Sequence, residues 1–370
     1  MANISGGPPA GVMPTIEAIP VNVLTGFLGS GKTSLLNRLL RAPAFSNCAV
    51  LINEFGEVGI DHHLIDRVEG DLVLLRSGCI CCSIRGDLAK AMRDLHSRRE
   101  RGEIPAYGRL VIETTGLADP TPVLATVMYD SVLQHHYRPG NVLTTVDLLH
   151  GSGQLAKHAE CRKQAALADR LVLTKCDLAS PAQAQALRAQ LAEINPGAEI
   201  VDAGAPDSVL DADLLLGQDV FDITSKTGEV ARWLRAAGRR QYHPVHGPGT
   251  DVNRHGDICA FVLELPGDLD WTAFSLWLSL LLHRHGDKVL RLKGLLNVSG
   301  VAEPVVLHGV QNLIYPPSHL PAWPDGLRTS RLVFIVQGLV RESVERSLVD
   351  FQAILGTPRR HPAAGPAGSV

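Results

Sequence analysis

The sequence predicts an α/β fold built on a mostly parallel sheet, followed by a smaller α+β domain. Two observations predict the first domain: continuous runs of Val, Ile and Leu recur through the first two hundred residues, and amphipathic segments separate them. Strands that are buried on both faces, as in parallel sheets, show such continuous runs. The second domain is predicted by a third observation, a change in the order of the elements beyond residue 256.

The strands predicted for the first domain are the runs IPVNVLTG, CAVLINEFG, DLVLLRSG, RLVIETTG, NVLTTVD and RLVLTKCD. Helices are predicted between them, among others at residues 34–41, 84–101 and 181–194. In the second helix, four apolar residues at helical spacing predict one buried face, namely Ile84, Leu88, Met92 and Leu95. For the third helix we predict Ser180 as the N-cap and Pro181 at the first helical position.

A stretch rich in Gly, Pro and polar residues, 236–256, predicts a linker after this domain. Beyond it come a strand, a helix, several strands and a last helix, at 258–265, 271–285, 289–298, 305–311, 332–337 and 342–355. This order predicts a ferredoxin-like split β-α-β arrangement. We therefore divide the chain into a flexible arm (1–18), the α/β domain (19–235), the linker (236–256), the α+β domain (257–357) and a disordered tail (358–370).

Composition excludes several classes of protein. A net charge of −3 and an aromatic content of 5% supply neither a basic field nor many stacking platforms, so we expect no nucleic-acid partner. No apolar run reaches the roughly 18 residues of a membrane span. The first twenty residues lack the features of a signal peptide. Seven cysteines, odd in number and clustered, argue against a disulfide framework, so we expect a cytoplasmic protein.

The stretch GFLGSGKT at residues 26–33 matches the G-x-x-x-x-G-K-[ST] phosphate-binding motif, between a predicted strand and a predicted helix. Glycines allow backbone N–H groups to curl around phosphate oxygens, and the helix beginning at Ser34 points its positive end at the same anion. Lys32 is predicted to reach the β- and γ-phosphates, and Thr33 to ligate Mg²⁺. The predicted nucleotide-binding residues of this motif are Gly26, Gly29, Ser30, Gly31, Lys32, Thr33 and Ser34.

Two further strand ends predict parts of the same site. Glu113 follows an apolar run and is the candidate acid that holds or orients the Mg²⁺ shell. The run RLVLTKCD ends in T-K-x-D, close to the N-K-x-D signature that recognises guanine, with Thr174 in the place of Asn. The carboxylate of Asp177 would accept two hydrogen bonds from the guanine edge, and the stem of Lys175 would cover the ring. Adenine lacks the matching pair of donors, so GTP is favoured over ATP.

Three of the seven cysteines, Cys79, Cys81 and Cys82, lie within four positions in RSGCICCS, just before a predicted helix. A single free cysteine is often core filler, whereas three so close together are difficult to explain in that way. Proximity to a helix N-terminus favours the thiolate form, and thiolates suit Zn²⁺ or a neighbouring metal such as Co²⁺ or Cu⁺. Three ligands are one fewer than a closed structural zinc site uses, which indicates an exchangeable metal, and a fourth ligand elsewhere in the chain is the alternative.

The motifs GFLGSGKTSLLNRLL, NEFGEVGID, GCICC, ETTGLADP and TKCDL, in this order, resemble those of the CobW-type GTPases. Beyond the linker, HGDICAFVLELPGDLDW, HGDKVLRLKGLLNV and RTSRLVFIVQGL resemble the C-terminal domain of that family. The resemblance implies a P-loop GTPase domain with a CobW-type C-terminal domain, and it covers nearly the whole chain apart from the arm and the tail.

The resemblance also implies low-turnover GTP hydrolysis coupled to binding and delivery of a transition metal. It makes Lys32 and Glu113 the catalytic residues and the cysteine cluster the site of the metal. NEFGEVGID occupies the first switch position of the family, where Glu57 is a candidate extra metal ligand and Asp61 could approach Mg²⁺. For both acids, a solvated loop residue is an equally open interpretation. The implied partner is a client metalloprotein or a metal-inserting enzyme, and a homodimer is possible.

Zn²⁺ is the default metal for three thiolates, and Co²⁺ remains open. We expect the switch to couple nucleotide state to metal affinity, since the γ-phosphate and Mg²⁺ would order Glu57. Other functions remain open: a metal-regulated GTP switch, a metal sensor or store, and a P-loop kinase acting on a small molecule. His243, His246 and His255 of the linker are interpreted as solvated, because they form no compact Cys/His tract.

Overall fold

Within the part of the chain that the structure describes, the first sheet has seven strands, and all of them run parallel. A computed structural model describes residues 18–42, 45, 47–53, 73–77, 84–204, 215, 216, 230, 258–324 and 326–355. The strands are β1 (Ile19–Gly26), β2 (Cys48–Asn53), β3 (Val73–Ser77), β4 (Arg109–Glu113), β5 (Tyr137–Asp147), β6 (Arg170–Thr174) and β7 (Glu199–Asp202). Their order across the sheet is β3-β2-β4-β1-β5-β6-β7. All six predicted strands and the parallel sheet are confirmed; β7 was not predicted.

Helices cover both faces of this sheet. They are α1 (Lys32–Leu40), α2 (Ile84–Glu100), α3 (Thr121–Tyr129), α4 (Gly151–Lys157), α5 (Ala159–Leu167) and α6 (Pro181–Ile194). Along β1, Val21 and Val23 face one apolar core and Leu24 faces another, and all three side chains are fully buried. The continuous apolar runs in the sequence follow from this burial on both faces.

Two local predictions about the helices are confirmed. Three of the four predicted residues of α2, Leu88, Met92 and Leu95, are buried in the core as their spacing requires, and the side chain of Ile84 lies outside the described residues. At the start of α6, the Ser180 hydroxyl accepts a hydrogen bond from the Gln183 N–H, and the Gln183 side chain accepts one from the Ser180 N–H. This reciprocal capping box satisfies two backbone donors that would otherwise lack partners at a helix start.

The second domain is the predicted α+β unit. Its elements are β8 (Ile258–Leu265), α7 (Trp271–His285), β9 (Val289–Leu296), β10 (Val305–Val310), β11 (Leu313–Ile314), β12 (Ser318–His319), β13 (Ser330–Gln337) and α8 (Arg341–Leu355). The strand order is β11-β10-β9-β13-β8, with β12 paired to β10. Because β13 lies between β8 and β9 and is antiparallel to both, the split β-α-β arrangement is present. The second helix follows the last strand, whereas the ferredoxin pattern has it before that strand.

The second sheet packs on both of its faces. One face carries α7 and α8, with Phe274, Trp277 and Leu348 in the core between them. On the other face, Leu290 and Tyr315 join the core of the first domain, where α5 lies against β9 and α6 against β8. Almost all of the predicted arm, and the whole of the predicted linker and tail, lie outside the described residues. No helix in the described ranges is both long enough and apolar enough to cross a membrane.

Candidate nucleotide-binding site

The predicted site residues of the first domain gather at one edge of its sheet. Gly26, Glu113 and Thr174 are the last residues of β1, β4 and β6, which run in the same direction. Open parallel sheets bind ligands at the carboxyl ends of their strands. Three motifs that lie more than fifty residues apart in the sequence therefore meet at one edge of the sheet.

The phosphate loop depends on glycines where the chain leaves β1. Gly26, Gly29 and Gly31 have φ angles of 142°, 71° and 85°, a range that side chains rarely adopt. A Cβ on Gly26 would lie 2.2 Å from the Thr145 hydroxyl and 2.5 Å from the Thr145 carbonyl oxygen. The loop thus lies directly against β5 and leads into α1, whose N-terminus provides N–H groups for an anion.

Lys32, the first residue of α1, turns its ammonium back into the loop. Its Nζ donates hydrogen bonds to the carbonyl oxygens of Gly26, at 2.8 Å, and Phe27, at 3.2 Å. The cation is thereby held at the centre of the curled backbone. Phosphate oxygens entering the loop would meet both the ammonium and the N–H groups that surround it.

Thr33 and Glu113 come together as the sequence predicts, although they are eighty residues apart. The Thr33 hydroxyl donates to Glu113 Oε1 at 2.9 Å, and the Glu113 side chain is almost fully buried. A hydroxyl and a carboxylate beside a phosphate loop are hard oxygen donors of the kind that Mg²⁺ prefers. The two residues therefore fit a Mg²⁺ ion that is shared with bound phosphates.

The loop that follows Glu113 is fixed against the phosphate loop. A Cβ on Gly116 would lie 2.7 Å from the backbone nitrogen of Leu28, so only glycine allows this approach. From α5, the Gln164 amide donates to the carbonyl oxygens of Gly116, at 3.2 Å, and Ala118, at 3.0 Å. Gln164 was not predicted as a site residue, because an isolated glutamine within a helix gives no local signal.

The T-K-x-D loop is tied to the phosphate loop by its threonine. The Thr174 hydroxyl donates to the carbonyl oxygen of Ser30 at 2.7 Å and approaches that of Val146 at 3.3 Å. A hydroxyl here makes the link between loops even though the usual asparagine is absent. Asp177 lies in the 3₁₀ turn Cys176–Leu178 with its side chain exposed, and within the described residues its carboxylate has no hydrogen-bond partner.

Lys175 pairs with a residue that the sequence analysis missed. Its Nζ donates to Asp147 Oδ2 at 2.6 Å, and the other carboxylate oxygen of Asp147 accepts from the N–H groups of Leu149 and His150. Asp147 ends β5 with only 1% of its side chain exposed. The signal was present in NVLTTVD, an apolar run that ends in an acid as the run before Glu113 does.

The predicted transition-metal site lies outside the described residues. This applies to Cys79, Cys81, Cys82, Glu57 and Asp61, and also to His243, His246 and His255. Among the residues that the structure does describe, no group of three or more His, Cys, Asp or Glu side chains could hold a metal ion. Of the other cysteines, Cys48 and Cys161 are buried, and burial raises the pKa of each thiol to about 12.

The parallel sheet, the phosphate loop and the strand ends around it define the class of the protein, a P-loop GTPase. Residues 20–202 match the family model of the CobW/HypB/UreG nucleotide-binding domain, and residues 258–352 match that of the cobalamin synthesis protein CobW C-terminal domain. The chain therefore belongs to the CobW family of the CobW/HypB/UreG P-loop GTPases.

Individual relatives agree with this assignment. The chain is 34% identical to the zinc chaperone YjiA of Escherichia coli over 89% of its own length and 97% of that protein. It is 28% identical to the zinc chaperone CobW of a Sinorhizobium species, over 86% of this chain and 92% of that protein. The crystal structure of Zn(II)-bound YjiA GTPase from E. coli superposes with a TM-score of 0.65 at 28% identity, covering 90% of this chain and 99% of the other.

Proposed function

We propose that this GTPase is a metallochaperone, which binds a transition metal through Cys79, Cys81 and Cys82 and delivers it to a client metalloprotein. The metal is Zn²⁺ by preference, with Co²⁺ as the alternative, and its affinity depends on the bound nucleotide. The observation that carries the proposal is that both sites begin at one edge of the sheet. Thr33 and Glu113 meet at the edge where the parallel strands end. β3 ends at the same edge, at Ser77, and Cys79 follows two residues later in the sequence.

For hydrolysis of GTP, each residue of the phosphate side has a defined task. Lys32 exchanges the Gly26 and Phe27 carbonyl oxygens for β- and γ-phosphate oxygens, and its charge offsets the charge that builds up on them. Thr33 and Glu113 would hold Mg²⁺, directly or through its water shell. When bound, Mg²⁺ would supply positive charge that offsets the charge developing on the phosphate oxygens.

Selection of guanine rests on the T-K-x-D loop. The exposed carboxylate of Asp177 accepts hydrogen bonds from the ring N–H and the exocyclic amine of guanine, a pair of donors that adenine does not present together. The Lys175 stem covers the ring, and the Thr174 hydroxyl keeps the loop in register with the phosphate loop. These roles are part of the proposal.

The strand order supports the proposed coupling between nucleotide and metal. β2 lies between β3, which leads to the cysteines, and β4, which ends in Glu113. The segment that contains Glu57 follows the last residue of β2, Asn53, and so it starts between these two strands. Two interstrand spacings, about 10 Å, separate β3 from β4. A segment ordered by the γ-phosphate could therefore reach the thiolates, with a coupling free energy of about 1–3 kcal/mol.

Two relatives have names that describe zinc chaperones, and one of them, YjiA, was crystallised with Zn(II); both support zinc as the cargo. Delivery requires a client, and a three-thiolate site that is completed by a movable fourth ligand can release its metal to one. The same nucleotide-dependent release distinguishes a chaperone from a metal store, in which affinity would be constant.

A competition titration tests the proposal. Zn²⁺ and Co²⁺ are titrated against a chelating chromophore in the presence of reduced protein, Mg²⁺ and either GDP or a non-hydrolysable GTP analogue. We expect the affinity for the cargo metal to be at least about tenfold higher with the analogue, or about 1.4 kcal/mol of coupling. Equal affinities in the two states would overturn nucleotide-gated delivery.

A matched pair of variants tests the ligand assignment. Cys81→Ala should abolish tight metal binding and leave GTP binding intact. Cys259→Ala, which removes an exposed thiol from β8 in the other domain, should change neither. Stoichiometric binding with unchanged affinity in Cys81→Ala would remove the cysteine cluster from the proposal.

A further inference from the structure

We propose that Asp147 is a positioning residue for guanine selection, which acts by holding the Lys175 side chain in place before the nucleotide arrives. This inference rests on the proposed role of the T-K-x-D loop and adds a residue from a different strand to it. Asp147 is the last residue of β5, and its partner in the register of β6 is Thr174, the residue before Lys175.

The carboxylate of Asp147 is itself rigid. Its Oδ1 accepts hydrogen bonds from the Leu149 N–H at 2.8 Å and the His150 N–H at 3.1 Å, and only 1% of the side chain is exposed. Anchored in this way, Oδ2 presents a fixed negative charge at the end of β5. The Lys175 ammonium lies 2.6 Å from it, whereas the lysine side chain is 35% exposed. The fixed carboxylate therefore determines the position of the lysine head.

Lys175 needs such an anchor for two reasons. Its backbone is left-handed, with φ 56° and ψ 37°, a conformation that residues other than glycine rarely adopt. Its stem is also long and flexible, and ordering a lysine during binding weakens an interaction. With the ammonium tied to β5, the methylene stem spans the gap between the ends of β5 and β6 in advance. The apolar part of the chain is then available to the base.

A second link makes the end of β5 a scaffold for the whole loop. The Leu148 N–H donates to the Thr174 carbonyl oxygen at 3.0 Å, and the Thr174 hydroxyl reaches both Val146 and the phosphate loop. Asp147 therefore lies between two backbone contacts that fix Thr174. Its ion pair with Lys175 then fixes the next residue of the loop as well.

Asp130 provides a matched control at the opposite edge of the sheet, between the end of α3 and the start of β5. Its Oδ1 also accepts from the N–H groups two and three residues on, Val132 and Leu133, and its Oδ2 accepts from Arg93 at 2.6 Å. Asp130→Asn thus removes the same kind of ion pair far from the nucleotide, and the amide oxygen can still accept from the turn N–H groups in both variants. Its effect reports the structural cost of such a change alone.

The test is a double-mutant cycle with fluorescent GDP, IDP and ADP analogues in the presence of Mg²⁺. We expect Asp147→Asn to weaken GDP and IDP by the same factor, about three- to tenfold, the cost of ordering one side chain. In a Lys175→Met background the same change should have no further effect, because the residue through which Asp147 acts is gone. Asp130→Asn should leave all three affinities unchanged.

The outcomes separate this inference from the proposed function. Unchanged GDP affinity in Asp147→Asn, or an equal further loss in the Lys175→Met background, would overturn the positioning role while guanine selection stands. A parent protein that binds ADP as tightly as GDP would overturn both. If Asp147→Asn does not fold, amine-specific labelling of the parent protein decides: Lys175 should react more slowly than the exposed Lys90, and equal rates would exclude a held lysine.

Discussion

The guanidinium of Arg291 on β9 pairs with the carboxylate of Asp169, the residue before β6, so that a buried ion pair joins the two domains. The two side chains are 2% and 5% exposed. Lys293 Nζ lies 3.7 Å from the same Asp169 oxygen, and the other oxygen accepts from the Val142 N–H at 3.0 Å. One carboxylate thus compensates two buried cations and one backbone donor.

Removing Asp169 should therefore cost more than removing Arg291. Asp169→Ala leaves the Arg291 guanidinium buried without its carboxylate and removes a carboxylate near Lys293 as well, so we expect a loss of about 3–5 kcal/mol in the free energy of unfolding. Arg291→Met should lower the free energy of unfolding by about 3 kcal/mol, the lower end of that range, because Lys293 still faces Asp169. Urea denaturation measures both. Arg188→Met, which breaks the exposed pair with Asp202, is the control and should change stability little. Losses in Asp169→Ala and Arg291→Met as small as that of the control would show that the buried pair does not stabilise the interface.

This pair also shows where sequence analysis reaches its limit. VLRLKGLL was predicted as a strand, and its alternation of apolar and charged residues is typical of a strand with one face in water. In the structure that face is buried against the first domain, so Arg291 and Lys293 are core residues. Which surface covers a strand depends on contacts with residues more than a hundred positions away, and a single sequence does not contain that information.

The nucleotide site was more accessible to sequence analysis because its signals are local. The phosphate loop, Glu113 and the T-K-x-D loop each follow an apolar run, and parallel strands bring such ends to one edge. Asp147 and Gln164 were missed for opposite reasons: the first ends a run but belongs to no recognised motif, and the second lies inside a helix without a flanking signal.

Two glycines of the phosphate loop should respond differently to alanine. In Gly26→Ala, the new methyl group would overlap Thr145 at 2.2–2.5 Å, so the loop must move and GTP binding should be lost. In Gly29→Ala, no atom lies within 4 Å of the new methyl group, and the left-handed backbone alone should cost about 1–2 kcal/mol of stability. Nucleotide titration and thermal unfolding measure the two effects. Tight GTP binding by Gly26→Ala would contradict the close contact between the loop and β5.

The Thr33 hydroxyl should set the Mg²⁺ requirement of GTP hydrolysis. Thr33→Val keeps the shape of the side chain and removes the oxygen that contacts Glu113 at 2.9 Å, so we expect the Mg²⁺ concentration for half-maximal activity to rise at least about tenfold. Thr33→Ser restores the oxygen and should behave like the parent. Activity is measured by phosphate release over a Mg²⁺ series. An unchanged Mg²⁺ dependence in Thr33→Val would assign the ion to other ligands.

His96 should make stability depend on pH below neutrality. Burial lowers the pKa of His96 beneath its ordinary value of 6.5, and the stacked ring of His136, with centroids 3.9 Å apart, lowers it further. The unfolded chain therefore takes up this proton at a higher pH than the folded chain does. The contribution of neutral His96 to the free energy of unfolding is fully present above about pH 6.5, and it is lost as the pH falls through the lowered pKa.

Replacing His96 by Phe, which can still stack on His136, should flatten this part of the stability profile. The exposed His135 supplies the control, because His135→Gln removes an imidazole that is adjacent in sequence to His136 and leaves the stacked rings of His96 and His136 unchanged. Thermal unfolding between pH 5 and pH 8 compares the three proteins. A His96→Phe profile as steep as that of the parent would assign the pH dependence to other groups.

Thiol accessibility should separate the cysteine cluster from the core cysteines. Cys48 and Cys161 are at most 5% exposed, and burial raises each pKa to about 12, so neither should react with a maleimide until the protein unfolds. The exposed Cys259 serves as an internal reference. If Cys79, Cys81 and Cys82 bind the metal, Zn²⁺ should protect them while Cys259 still reacts. Peptide mass spectrometry after labelling gives the result for each residue. Protection of Cys259 together with the cluster would indicate a general effect of zinc on the protein. Labelling of Cys79, Cys81 and Cys82 in saturating Zn²⁺ would exclude these cysteines as the metal site.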